Sequence, residues 1–362
     1  MRMKKINGKT IIGALLGAIL GVVILVLLSG YLRVRGILNK SNYVEDSKVQ
    51  IRLEVLEELD KQERQRRREQ IEQQEGLDEE ERQRLLEELD NEEELFVLSP
   101  GMEDLVDNQD QEELQEEMLE GTYSILLVGS DRQDHSWYGN SDGMILVTIN
   151  HNVQKIFLMS FMRDLYANIP GIGVRKMNAA YAVGGGPLLL QTLQQNYGVS
   201  VSDYASVDFA AMEDLIDLFG GVDIELNEAE AEYMNWPGIT AGWNHLNGEL
   251  ALAYARIRQV GNSDWERTER QKRVLLEIYN RMNFNSVEDL QNLADVILPY
   301  VTHNLTESEI LALLPVILQA KDYELVLDRV PFDGTYEFQS EIIVPDLAYT
   351  VQRIREEIYA KE

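Results

Sequence analysis

Two aspartates and a set of arginines carry the chemistry this sequence could perform. Asp131 closes the apolar run ILLVGSD and Asp142 precedes the run MILVTIN, so both stand at strand ends, where α/β sheets commonly build their sites. Two such carboxylates suit a hard cation such as Mg²⁺, which takes oxygen ligands and shares them with substrate phosphates. Aspartate also favours turns for its own reasons, so spacing alone leaves a metal site and a plain turn both open.

Among the cations, Arg163 and Asp164 follow the strand-like KIFLMSFM, and Arg256 and Arg258 close a predicted helix in AYARIR. Arg267 shares a helical face with Gln271, Val274 and Ile278, which places it at the head of an apolar stripe. Arg270, Lys272 and Arg273 are predicted to face solvent. A guanidinium on a buried stripe needs an anionic partner, because desolvating it alone is costly. Its planar fork matches phosphate oxygens; ordinary ion pairs with Asp164, Glu249 or Asp264 are the structural alternative.

Other chemistries fall away. The sequence has no cysteine, which excludes disulfides, thiolate zinc sites and a cysteine nucleophile. His135, His151, His245 and His303 are scattered without ligand spacing, and no Gly-x-Ser-x-Gly elbow is present. Gly184–Gly185–Gly186 is not followed by Gly-Lys-Ser/Thr, so it is no Walker A loop; a loop between two helices is expected there.

The elements that must position these residues begin at residue 121. YSILLVG, MILVTIN and KIFLMSF read as strands, the last two joined as an antiparallel hairpin through Asn150–His151–Asn152. A helix is expected over 187–198, then the strand YASVDF, the helix AAMEDLIDLFGG and the strand VDIELN. Helices around 247–257 and 264–282 follow, then YELVLDRVP, FQSEIIVP and a closing helix DLAYTVQRIREEIY. This pattern predicts one α/β domain with a mixed β-sheet flanked by helices on both faces.

Before that domain the chain changes character twice. Residues 11–31 are uncharged and apolar, about the ~20 residues a membrane-spanning helix needs. Arg2, Lys4, Lys5 and Lys9 precede them, which predicts a single-pass, uncleaved signal-anchor with residues 1–10 as a cytoplasmic tail and the domain outside the cell. Residues 32–120 read as an acidic Glu/Gln/Arg-rich stalk or linker, helical or disordered. Ile51, Val55 and Leu59 make one short stripe and Leu85 and Leu89 another, but QERQRRREQ breaks any continuous heptad seam. A solvated linker is the simpler expectation. Net charge is −30, and residues 41–120 supply −20 of it, with 29 acidic and 9 basic side chains. A chain so acidic is ill suited to nucleic acid, which requires a basic face.

Seven ordered blocks resemble the LytR–CpsA–Psr (LCP) family: ILLVGSD, NSDGMILVTIN, SFMRD, KMNAAYAVGGG, YASVDFAAMEDLIDLFGGVDIEL, HLNGELALAYARIR and WERTERQKRV. They span residues 121–282, and the tail over 283–362 is similar to an extension that completes the domain in some members. The resemblance implies a transferase that moves a glycopolymer from an undecaprenyl-pyrophosphate carrier to peptidoglycan with the help of Mg²⁺, or of Mn²⁺ in its place. Carried onto this sequence, it implies that Asp131 and Asp142 hold the metal. Arg163, Arg256, Arg258 and Arg267 would grip the pyrophosphate, with Lys176 and Gln271 as lesser contacts. The partners implied are a polyprenyl-pyrophosphate-linked glycan, peptidoglycan and the bacterial cell membrane.

The chain departs from the family pattern at Asn140-Ser141-Asp142-Gly143, where Arg-Ser-Asp-Thr is usual, and at Phe161-Met162, where Ile-Pro is usual. Phosphoryl transfer is mostly positioning and charge stabilisation, so Arg163 and Arg267 are the expected catalytic arginines and Asp164 the nearest candidate base. A polyprenyl-pyrophosphate hydrolase and a catalytically idle lipid- or glycan-binding scaffold are the alternative readings.

Overall fold

The computed structural model describes residues 42–44, 51–74, 76–91, 120–132, 138–261, 263–281, 298–306, 323–339 and 342–361, with scattered positions between 309 and 320. The expected anchor at 11–31 lies outside the described residues. Among the described residues no helix is long and apolar enough to cross a membrane.

The chain enters through β1 (Asn42–Tyr43), α1 (Leu53–Gln73) and α2 (Glu79–Asn91). Then come β2 (Thr122–Ser130), β3 (Ser141–Asn150), β4 (Lys155–Phe161), β5 (Tyr166–Ile169), β6 (Gly173–Lys176) and the long helix α3 (Met177–Tyr197). β7 (Asp203–Asp208), α4 (Phe209–Leu218), β8 (Val222–Leu226), α5 (Glu228–Met234) and β9 (Gly242–Leu246) lead to α6 (Gly248–Ala255) and α7 (Ser263–Arg281). The last elements are β10 (Thr302–His303), β11 (Glu324–Val330), β12 (Tyr336–Gln339), β13 (Ile342–Pro345) and α8 (Leu347–Ile358).

Among the described residues seven strands form the central sheet in the order β1-β10-β7-β2-β3-β4-β11. It is mixed, as expected: β2 pairs parallel with β7 and β4 parallel with β11, while β3 runs antiparallel between β2 and β4. Most residues of β2, β3 and β4 are buried on both faces, which is why these strands read as unbroken apolar runs. Asn150 Oδ1 accepts from Asn152 N at 2.9 Å and so tightens the predicted β3–β4 turn. The main core joins Leu126, Leu146 and Met159 of the sheet to Leu189 and Leu193 of α3 and Ile354 of α8. A second core gathers Val222, Leu246, Tyr254, Val274 and Ile278 around β8, β9, α6 and α7.

Four details differ from the sequence reading. α3 begins at Met177 and runs through the triple glycine with one kink at Gly185 (φ 66°), where Pro187 also removes a backbone donor. Gly186 is required by packing, since a Cβ there would meet the Tyr204 ring at 2.3 Å. β8 forms a two-stranded hairpin with β9 outside the main sheet. FQSEIIVP folds into the two strands β12 and β13.

The fourth difference concerns the acidic segment. Ile51, Val55, Leu56 and Leu59 pack against the main core, so their stripe faces the domain in place of water. Arg52 N donates to Val183 O at 3.0 Å, and its guanidinium lies 4.6 Å from the centre of the Tyr138 ring. Arg175 donates to Asp60 through Nε at 3.2 Å and Nη2 at 3.0 Å. Arg64 Nη1 donates to Leu89 O at 2.8 Å and ties α1 to α2.

Candidate functional site

Strand direction gathers the candidates. β2, β4, β7 and β11 all point one way and β3 the other, so Asp131, the start of β3 and Arg163 meet at one sheet edge. The β2–β3 register shifts between Gly129 and Ser130: Gly129 pairs with Gly143 and Ser130 with Ser141. Asp142 is therefore the extra residue of a bulge, a device that re-aims a side chain.

From Asp142 a chain of ion pairs runs along this edge. Arg163 Nη1 lies 2.8 Å from Asp142 Oδ1 and Arg163 Nε 3.3 Å from Asp164 Oδ2. Lys176 Nζ, at the start of α3, lies 3.3 Å from Asp164 Oδ1. Arg267 enters from α7 with Nη1 4.0 Å from Asp142 Oδ1, and it is only 4% exposed. Gln271 comes from one helical turn further on: a Cβ added to Gly143 would meet its Oε1 at 3.8 Å. That is ordinary contact, so the glycine departing from the family pattern here leaves room without being demanded by packing.

Asp131 is held by the other departing residue. Its carboxylate accepts from the Asn140 backbone N–H and, at 3.2 Å, from Asn140 Nδ2. Burial pushes the Asp131 carboxyl pKa up; the Asn140 hydrogen bonds oppose that and the charge of Asp142 adds to it. Gly139 (φ 78°) is needed for the turn, because a Cβ there would lie 2.4 Å from Arg132 N. Among the described residues no group of three or more His, Cys, Asp or Glu forms a metal site. The two aspartates still fit Mg²⁺ of the kind that takes one or two carboxylates and completes its shell with phosphate and water. Burial and the like charge of Asp142 both disfavour an ionised Asp131, and a cation would relieve both.

Arg256 stands apart from this group. Arg256 is exposed, with its guanidinium 5.1 Å from the centre of the Phe209 ring. Arg258 is half-buried two residues further on. The solvent-facing expectation for Arg270 is wrong: it is 1% exposed and donates to Glu230 at 2.8 Å, to Ile257 O at 2.9 Å and to Val260 O at 2.9 Å. These fixed protein acceptors make it a structural residue of the second core. Arg273 is half-exposed and donates to Tyr254 Oη at 2.9 Å; the Lys272 side chain lies outside what is described.

One contributor, from α1, is not evident from the sequence motifs. Lys176 is pushed down by burial and pulled up by the charges of Asp164 and Glu63, which brings Glu63 to the rim of the site. Arg66 and Arg67 in turn hold Glu63, at 2.6 and 3.2 Å. The signal was present in the sequence: Ile51, Val55 and Leu59 continue at the same spacing to Glu63, so the stripe that docks α1 ends in a carboxylate.

A mixed sheet whose strand ends bring two aspartates beside a cluster of partly buried cations makes this an α/β domain with one concentrated charged site. The chain belongs to the LytR_cpsA_psr family, whose profile matches residues 99–353. The regulatory protein MsrR of Staphylococcus aureus is 36% identical over 194 residues, 53% of this chain and 59% of MsrR. The polyisoprenyl-teichoic acid–peptidoglycan teichoic acid transferase TagU of Enterococcus faecalis is 34% identical over 176 residues, 47% of this chain and 57% of TagU. The matched stretch thus spans less than two thirds of these relatives. Among solved structures, TagT bound to LI-WTA is 25% identical, covering 67% of this chain and 90% of TagT with a TM-score of 0.52. The protein gbs0355 of Streptococcus agalactiae is also 25% identical, covering 70% of this chain and 91% of gbs0355 with a TM-score of 0.54.

Proposed function

We propose that this chain transfers a glycopolymer from a polyprenyl-pyrophosphate carrier to peptidoglycan outside the cell, anchored in the membrane by residues 11–31. The chain of contacts Asp142–Arg163–Asp164–Lys176, with Arg267 against Asp142, carries this reading. It is a set of preorganised cations with one open-ended carboxylate pair, as a pyrophosphate and a divalent ion require. The teichoic acid transferase name of TagU and the LI-WTA bound to TagT support the same substrate class.

In this reading a sugar hydroxyl of the acceptor attacks the phosphorus attached to the glycopolymer. A new P–O bond forms, the P–O bond to the carrier breaks, and polyprenyl phosphate leaves with the electron pair; the hydroxyl proton passes to the departing phosphate. Arg163 and Arg267 hold the phosphate oxygens and offset the charge that accumulates on the leaving group. Lys176 adds a third positive charge, steadied by Asp164. Both Asp164 oxygens already face cations, so its role is to set the position of Arg163 and Lys176 rather than to take the proton. Asp131 and Asp142 would hold Mg²⁺, which when bound offsets phosphate charge as a Lewis acid. Arg256 and Arg258, at and just past the C-terminal end of α6, would reach further along the ligand.

The test is to supply the full chain in detergent with a polyprenyl-pyrophosphate-linked glycan and soluble peptidoglycan fragments. Glycan joined to peptidoglycan through a phosphodiester is the expected product. Release of free glycan with no joined product would mean hydrolysis, and no turnover with retained lipid binding would mean a scaffold; either overturns the proposal.

A further inference from the structure

Beside Asp131, on the side of the sheet edge away from Arg163, β2 and β7 open into a cavity of about 210 Å³. Ser130 and Arg132, the two chain neighbours of Asp131, line it together with Tyr181, Ser206, Asp208 and Asp214. Three of these hydroxyl groups sit on deeply buried residues: Ser130 is 2% exposed, Ser206 4% and Tyr181 4%. Asp208 is fixed in place as the cap of α4, accepting from Ala211 N at 2.8 Å. One capping bond leaves a carboxylate with further acceptor capacity.

The composition of this wall separates it from the neighbouring site. Two carboxylates face one guanidinium, so a phosphate entering here would meet a surplus of negative charge. A neutral polyhydroxyl ring meets the opposite situation. Its hydroxyls donate to Asp208 and Asp214 and exchange hydrogen bonds with the serine and tyrosine hydroxyls, while Arg132 donates to a ring or acetamido oxygen. The volume lies below the ~300–1,000 Å³ typical of sites for drug-sized ligands, which limits the occupant to a single ring. We propose that this cavity is a saccharide subsite that seats one uncharged pyranose beside the carboxylate pair. The division of labour follows: anionic groups go to Arg163, Lys176 and Arg267, and a sugar goes to the β2–β7 side.

The subsite gives the proposed transferase a place for a reacting sugar and in that sense rests on that reading, but its test needs no turnover. A tetramer of N-acetylglucosamine, which carries no phosphate, is titrated into the full chain in detergent, with inorganic pyrophosphate titrated separately. Wild type is expected to bind the tetramer. Asp214→Ala is expected to weaken it about tenfold or more, the loss of one hydrogen bond to a charged acceptor. Pyrophosphate binding should not change in that variant. A second variant, Ser206→Ala, should weaken the tetramer while the folded protein binds pyrophosphate as wild type does. A chain that ignores the tetramer, or variants that bind it as wild type does, would overturn the proposal. Repeating the titration with lipid-linked donor already bound identifies the sugar's source: additive binding marks the acceptor, and displacement marks the donor glycan. A chain that binds the tetramer through Asp214 yet transfers nothing would refute the transferase and keep the subsite.

Discussion

Arg163 Nη1 lies 2.8 Å from Asp142 Oδ1, so the residue that should grip a substrate phosphate is already engaged by a carboxylate that should hold a metal. In the absence of a cation the two neutralise one another. Replacing the carboxylate therefore has opposite effects in the two conditions. Asp142→Asn is expected to bind inorganic pyrophosphate about tenfold more tightly without Mg²⁺, because Arg163 and Arg267 lose their competing anion. The same variant should lose any gain in affinity that Mg²⁺ brings to wild type. Calorimetric titration with and without Mg²⁺ measures both, and an unchanged metal dependence would count against Asp142 as a ligand.

Lys176 should impose an alkaline limit on binding. Burial lowers its pKa, and the charges of Asp164 and Glu63 only partly oppose this. An ammonium whose folded value is depressed loses its proton below the ordinary lysine range as pH rises. The linked stability moves the opposite way to affinity: the unfolded chain holds that proton more readily, so stability rises as pH passes through the window. Pyrophosphate affinity should fall through that window and should do so less in Lys176→Arg, whose guanidinium stays charged. Identical pH profiles for the two proteins would remove Lys176 from the site.

Arg270 offers a contrast in stability. It and Glu230 are 1% and 2% exposed, and the pair is joined at 2.8 Å. Arg270→Met leaves the buried Glu230 carboxylate with only the longer 3.9 Å contact to Arg273, and breaking a buried pair of this kind costs about 3–5 kcal/mol. Urea denaturation should show that loss, while pyrophosphate affinity of the folded fraction stays near wild type. A strong binding defect with unchanged stability would place Arg270 in the site instead.

The docking of α1 sets where a working fragment can begin. Val55, Leu56 and Leu59 are half-buried on the main core, worth about 1 kcal/mol each at half the cost of full exposure. A fragment beginning at residue 121 should melt several degrees below one beginning at residue 42. Equal melting temperatures would mean that the helix adds nothing to the domain.

Much of this architecture was legible because it depends on local periodicity. β2, β3 and β4 announced themselves as apolar runs, and the Arg267–Gln271–Val274–Ile278 stripe placed one arginine inward. Arg163 and Asp142 could be named as candidates, but their meeting depends on strand order and on a one-residue bulge, neither of which leaves a mark on composition. The burial of Arg270 leaves no local signal because its acceptors, Glu230, Ile257 O and Val260 O, come from parts of the chain 10 to 40 residues away. α1 reads as solvated because its charged face dominates its composition. Its narrow apolar stripe finds the domain through Arg175 and the start of α3, contacts more than 100 residues distant in the chain.

The transferase reading is tested most directly by transfer itself. The full chain, with Arg163→Ala and Asp142→Ala variants confirmed as folded, is given a polyprenyl-pyrophosphate-linked glycan, peptidoglycan and Mg²⁺, and the joined product is counted over time. Wild type should form it, and each variant should be slower by about 10²–10³, the usual loss when one preorganised charge-stabilising group is removed. Wild-type rates in both variants would contradict the site described above.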